Sequence, residues 1–253
     1  VATPTEGGAM GAVGALILAF GKRKLNTALM VQALSELGAT VIPYLPDRVE
    51  EGHGLSAEAV QALRSEGVSL MVTVDCGVSS AEEVGLASSM GMDTIVTDHH
   101  SVPPSLPDAV ALVNPRRPGS RYPYDGLTGV GIAFKLAEAL WADLGRPRPD
   151  HLLELVALGT VADVGPLSGE NRYLVKEGLK RLNDTRNPGL RALIARSGLS
   201  SGSLDTESLS FGLIPRLNAA GRLSSASTSL DLLMADSAGS AEAIADALEL
   251  HND

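Results

Sequence analysis

The sequence predicts an α/β fold: a parallel β-sheet flanked by helices, then a mostly helical half and the start of a connecting helix. Three observations predict it. Apolar runs alternate with segments of helical period as far as Val113, and strands separated by helices form a parallel sheet covered on both faces. Two successive apolar runs end in acid or imidazole, at Asp75 and at Asp98-His99-His100, as befits the strand edge where ligands gather. Beyond the turn-rich segment Arg116 to Gly126 the chain becomes helical in period.

In chain order, the sheet half carries expected helices at Thr27 to Leu37, Ala57 to Arg64 and Ser80 to Ser89. Its expected strands are Val41 to Leu45, Leu70 to Asp75, Thr94 to Thr97 and Val110 to Val113. The helical half carries Gly129 to Leu144, His151 to Leu158, Arg172 to Leu182 and Gly189 to Ser197, closed by the glycine and serine loop Gly198 to Ser203. Ser237 to Leu250 opens a polar, alanine-rich helix that reaches Asp253 without a stop signal, so the chain is expected to continue in its parent protein. These patterns divide the chain into a sheet part (1–125), a helical part (126–235) and the beginning of an interdomain helix (236–253).

The chain has 253 residues, 44% of them hydrophobic and 20% charged, enough to bury a full core. Its most apolar early stretch, Ala9 to Phe20, is short, interrupted by glycine and not preceded by a basic segment. It reads neither as a membrane span nor as a signal peptide, so no membrane partner and a cytoplasmic location are expected. One cysteine, Cys76, excludes an internal disulfide framework and a thiolate zinc cluster, which leaves oxygen and nitrogen to hold any metal. The formal charge of −10 argues against a protein that coats nucleic acid nonspecifically, while a local basic groove on an acidic body stays open.

The chemistry is concentrated where the apolar runs stop. Asp98, His99 and His100 follow Asp93-Thr94-Ile95-Val96, and Asp75 follows Leu70-Met71-Val72-Thr73-Val74. Carboxylate beside imidazole suits a divalent metal. The alternative for the tripeptide is an acid that caps a turn with two exposed histidines. By itself Asp163 reads as a helix-terminus acid in the loop after Leu155 to Leu158.

Several segments together resemble the DHH phosphoesterases, and within them the branch of single-strand-specific exonucleases. They are Val72 to Gly77, Val96 to His100, Val113-Asn114-Pro115, Thr128 to Phe134, Gly159 to Val164, Glu170-Asn171-Arg172 and Pro215 to Leu223. The resemblance implies that Asp75, His99 and Asp163 are ligands of a centre taking Mn²⁺ or Mg²⁺. It implies too that Asp98 orients an imidazole or touches the metal, and that His100 faces the scissile phosphate. Arg48, Arg222 and Asn218 would bind substrate, with the planar guanidinium forks gripping a terminal phosphate. Surface pairing with neighbouring acids is the other reading of these arginines, and Arg216 and His53 remain open between structural and substrate-facing roles. The implied substrate is single-stranded DNA bearing a 5′ phosphate, and the implied protein partners are single-strand-binding or replication proteins.

The sequence departs from the family in one place. An acidic motif, DxDxDG, is expected between the first strand and the helix containing Thr27 to Leu37, where it supplies two metal-binding carboxylates. Counting back places it near Leu18 to Arg23 or, with an insertion, near Thr3 to Gly8; neither contains aspartate, and Glu6 is the only acid before Glu36. Either the chain is a degenerate relative or its first two dozen residues do not represent the native start. Three functions follow: a metal-dependent 5′ to 3′ exonuclease core impaired by this loss, a catalytically inactive module that binds nucleic acid or a replication or repair partner, and a phosphoesterase acting on dinucleotides or pyrophosphate. The Asn218 to Leu223 motif counts against the third.

Overall fold

The computed structural model describes residues 15–18, 24–45, 54–223 and 227–249. Five strands, β1 (Ala15–Leu18), β2 (Val41–Tyr44), β3 (Leu70–Val74), β4 (Asp93–Thr97) and β5 (Ala111–Val113), form one sheet in the order β2-β1-β3-β4-β5. Every pairing is parallel. From β1 the chain first moves outward to β2 and then crosses back to β3 on the other side. The tips of β1 and β3 therefore flank the point where the winding reverses, the usual ligand crevice of such sheets.

Helix α1 (Lys24–Glu36) links β1 to β2, α2 (Ala57–Ser65) links β2 to β3, and α3 (Ala81–Ser89) links β3 to β4. Ser56 caps α2 by accepting a hydrogen bond from the Ala59 amide. The helical half contains α4 (Gly129–Asp143), a 3₁₀ turn (Asp150–Leu152), α5 (Leu153–Ala162), α6 (Gly169–Leu182) and α7 (Pro188–Arg196). A π-helical segment (Ser208–Leu213), α8 (Ile214–Leu223), α9 (Ser227–Leu233) and α10 (Ala238–Glu249) complete it. No described helix is long and apolar enough to cross a membrane.

The two faces of the sheet feed two cores, as the alternation of side chains along a strand requires. Val72 and Val74 of β3 join the larger core with α1, α4 and α5, whereas Met71 faces a smaller core with Val60 and Leu63 of α2 and Val84 of α3. Helix α5 is apolar on nearly all sides because it is enclosed by α1, α4 and α6. Its approach to α6 requires Gly178, where a Cβ would overlap the Leu153 carbonyl. Asn187 caps α7 by accepting from the Leu190 amide and ties it to α9 by donating to the Leu233 carbonyl, 2.9 Å in each case. Ala241, Ala245 and Leu248 of α10 are buried, and the helix packs on α7 and α9.

Two expectations require correction. The expected strands begin at Val41, but β1 lies within the early apolar stretch and pairs with a neighbour on each side. A strand of four residues enclosed between partners needs little sequence of its own, since its register is set by β2 and β3. Second, the helix expected over His151 to Leu158 starts at Leu153 and continues to Ala162, with Asp163 at its C-cap, the helix-terminus position expected of it. Of Leu18 to Arg23, one of the two places where the acidic motif is expected, all but Leu18 lies outside the described residues, as does Thr3 to Gly8.

Candidate metal centre

Asp75 is the first residue after β3, and its backbone is left-handed, with φ 64°. Aspartate tolerates that region better than most non-glycine residues. Its amide donates to the Thr97 carbonyl at 2.8 Å, which holds the turn against the tip of β4. The side chain is buried; Oδ2 accepts from Asn26 Nδ2 of α1 at 2.9 Å. The carboxyl group also lies against Gly129 at the start of α4, where any Cβ would overlap it. An acid beside a helix N-terminus gains from the unsatisfied amides there. Gly129→Ala is therefore expected to displace Asp75 and weaken Mn²⁺ binding severely while leaving the far-UV circular dichroism unchanged.

Asp98, at the tip of β4, is used entirely for holding its neighbours. Oδ2 accepts from the Val78 amide at 3.0 Å, and Oδ1 accepts from the amides of His99 and His100 at 2.8 and 3.1 Å. The same oxygen lies 2.6 Å from His100 Nδ1. Burial alone would raise the Asp98 pKa, but the His100 ring and the backbone amides of Val78 and His100 outweigh it and hold the carboxyl below its ordinary value. An ionised carboxylate only accepts, so the proton of that contact belongs to His100 Nδ1 and Nε2 is turned outward. Asn114 anchors the same loop by donating to the His100 carbonyl at 3.0 Å.

The side chains of Asp75, His99 and Asp163 converge. His99 Nε2 lies 2.9 Å from Asp75 Oδ1 and 3.4 Å from Asp163 Oδ2. Asp75, His99 and His100 each offer a ligand atom, all within 4.8 Å of one another. His99 Nε2 is buried and makes no hydrogen bond of proper alignment despite the two nearby carboxylates. Donors crowded together without being aimed at each other fit a shared cation at their centre. Carboxylate and imidazole without thiolate fit Mn²⁺ or Mg²⁺, and Cys76, although adjacent to Asp75, is buried as a packing residue.

A second set of contacts closes the surroundings. Asn171 of α6, fully buried, donates from Nδ2 to the carbonyls of Gly126 and Pro166 at 2.7 and 3.1 Å. It thereby joins the loop leading to α4 with the loop following Asp163. Val164 is also left-handed, at φ 55°, and 84% exposed beside Asp163. Buried Lys24 donates at 3.3 Å to the Leu217 carbonyl of α8 and to Ser229 Oγ of α9, which brings α8, the helix of Asn218, alongside the beginning of α1.

Of the expected substrate residues, Arg48 lies outside the described residues, with His53, and so does the side chain of Arg222. Arg216 is structural: its guanidinium forms two hydrogen bonds with Glu249 of α10, at 2.9 and 3.0 Å. Sequence reasoning passed over Asn26, Gly129 and Asn171 as site residues. Asn26 carries no ligand-type signal, and the signal available for Gly129 and Asn171 was their position in the segments Thr128 to Phe134 and Glu170-Asn171-Arg172.

Residues 24–160 match the model of the DHH family, N-terminal domain. The chain belongs to the DHH family. The match begins at Lys24, the first residue of α1. The chain is 44% identical over 220 residues to the single-stranded-DNA-specific exonuclease RecJ of Bacillus subtilis, covering 87% of this chain and 28% of that protein. Its fold matches a structure of exonuclease RecJ bound to manganese with a TM-score of 0.88 and 36% identity, over 98% of this chain and 64% of the other. A structure of RecJ in complex with Mn²⁺ from Thermus thermophilus matches with a TM-score of 0.83 and 34% identity, over 98% of this chain and 37% of the other. The chain thus spans less than two thirds of each of these relatives.

Proposed function

We propose that this DHH chain is the core of a metal-dependent phosphodiesterase that acts on single-stranded DNA from a 5′-phosphorylated end, with catalysis impaired by the lost acidic motif. The convergence of Asp75 and Asp163 on His99 Nε2 carries the reading. These three residues would hold Mn²⁺ or Mg²⁺, which supplies charge neutralisation on phosphate oxygens and an activated water when bound. Asp98 fixes the His100 ring through Nδ1, so that Nε2 can donate to a phosphate oxygen when the ring is protonated. Arg48, Arg222 and Asn218 would bind the terminal phosphate. The likeness to RecJ proteins supports the substrate class, and a single-strand-binding or replication protein would be the partner class.

The absence of aspartate before Asp47 favours the second reading, an inactive module that binds nucleic acid or a repair partner. The family match beginning only at Lys24 supports an altered first segment. A nuclease assay on single-stranded DNA with Mn²⁺ separates the two. Very slow release of nucleotides, weak Mn²⁺ binding and loss of both in His99→Ala are expected. Fast release that depends on His99 would show that another acid, such as Glu6, replaces the motif; Mn²⁺ binding indifferent to His99→Ala would overturn the metal assignment.

The terminal-phosphate role is tested in the same system. Arg48→Ala and Arg222→Ala should each weaken binding of a 5′-phosphorylated oligonucleotide by about ten- to a hundredfold, the value of a charge-assisted contact of roughly 1.5–3 kcal/mol. The unphosphorylated strand should respond much less. Equal losses for both strands would reduce these arginines to general backbone contacts.

A further inference from the structure

The outer face of α6 and its continuation to α7 contrast with the rest of this acidic chain. Between Arg172 and Arg196 stand seven Lys and Arg against two acids, in a chain of 20 Lys and Arg to 30 Asp and Glu. Some of these cations are committed. Lys180 pairs with Glu177 at 2.7 Å, Arg181 with Asp150 at 2.6 Å and Arg196 with Asp246 at 2.7 Å. The side chains of Arg172, Lys176, Arg186 and Arg191 are exposed and make no hydrogen bond or ion pair among the described residues.

Their arrangement is ordered. Arg172, Lys176 and Lys180 recur at i, i+4 and i+8, which aligns them on one helix face over about 12 Å. Tyr173, three residues before Lys176, shares that side of the helix and is 51% exposed; the Arg148 guanidinium lies 6.0 Å from its ring centre. Past α6, Arg186 borders two adjoining hollows of about 760 and 500 Å³, the first also lined by Lys180 and the second by Arg191. At its other end the row starts beside Asn171, whose side chain holds the Pro166 carbonyl of the loop that follows Asp163.

We propose that this face, from Arg172 and Tyr173 through Lys176 to Arg186 and Arg191, binds the backbone of single-stranded nucleic acid beyond the end held at the metal centre. The inference rests on the reading of that centre given above. Unpaired cations in a row, interleaved with an exposed aromatic ring, are what a strand without sequence preference requires: charges that follow phosphates and a platform on which a base stacks. An acidic peptide would use the cations but not the tyrosine. Because the four exposed cations make no hydrogen bond or ion pair among the described residues, neutralising them should leave folding intact.

The test compares two 5′-phosphorylated oligothymidylates by fluorescence anisotropy, a tetranucleotide that reaches only the metal centre and a strand of roughly 16 nucleotides. The full chain is compared with the combined variant Arg172→Gln, Lys176→Gln, Arg186→Gln and Arg191→Gln, and separately with Tyr173→Ala. The combined variant should bind the long strand about tenfold or more weakly, with the slope of log affinity against log salt reduced by about 2–3, at roughly 0.7 per cation. Tyr173→Ala should weaken the long strand about fivefold or more, as loss of one stacked base would. The tetranucleotide should be unaffected by either. Equal losses at both lengths, no loss at all, or displacement of the long strand by polyglutamate as effectively as by unlabelled oligothymidylate would each overturn the proposal. Failure of the tetranucleotide to bind the unaltered chain, with the long-strand losses intact, would count against the metal-centre reading and leave this face standing.

Discussion

Asp98→Ala should destabilise the fold by about 3–5 kcal/mol, although among the described residues its only side-chain hydrogen bond is with His100. The buried carboxylate accepts from the amides of Val78, His99 and His100, which come from two different strand ends. Alanine leaves those amides without acceptors, and each buried donor left unsatisfied costs about 1–3 kcal/mol. The loops after β3 and β4 would separate, and the His100 ring would lose the contact that fixes it. Urea denaturation with an unchanged m-value measures the loss. A drop below about 1 kcal/mol would show that the carboxylate is dispensable to the loop. Asp98→Asn should fall between, because it retains one acceptor oxygen.

The second large effect lies at the opposite end of α5. Glu154 lines the hollow of about 760 Å³, and burial raises its pKa to about 7 against the opposing pull of the Thr185 hydroxyl and the Arg181 guanidinium. The ordinary value is 4.5, so below that pH the residue is protonated in folded and unfolded chains alike. Between 4.5 and about 7 the unfolded chain ionises while the folded one retains its proton. Folding stability from this group is therefore complete below 4.5 and declines as pH rises through that window, by roughly 3 kcal/mol in all. Glu154→Gln, which cannot ionise, should flatten that part of the profile and make the protein more stable than the parent at pH 8. A parent profile that rises over the same window after subtraction of the Gln variant would contradict the assignment.

How much was legible beforehand follows from the kind of signal each feature leaves. β3 and β4 were readable because a buried strand must be an apolar run and a parallel sheet presents its polar residues at the ends, where Asp75, Asp98, His99 and His100 stand. β1 was not, since its four residues are defined by the neighbours they pair with rather than by a pattern of their own. The helices α8 and α9 and the intervening contacts of Lys24 escaped notice because their packing depends on pairs separated by nearly the whole chain. Asp75 and His99 stood out as metal-binding residue types at the ends of apolar runs, whereas Asp163 was singled out by its place in the Gly159 to Val164 segment. Asn26, Gly129 and Asn171 did not stand out, for an amide that orients a carboxylate and a glycine that admits one look like ordinary residues until the partner is placed beside them.

The strand order also bears on how the molecule assembles. β1 pairs with β2 on one side and with β3 on the other, and β4 and β5 extend the sheet outward from β3. Parallel pairings of this kind connect distant parts of the chain and form slowly. Asp75 and His99 meet only when β3 and β4 are paired, and Asp163 reaches them only once α5 lies against α4 and α1. A cation would thus find its ligand set in nearly finished molecules and not in partial ones. Bound at a hundredfold above its dissociation constant, it would add about 2.7 kcal/mol to the complete fold alone, so the last steps of assembly would be the ones the metal draws forward.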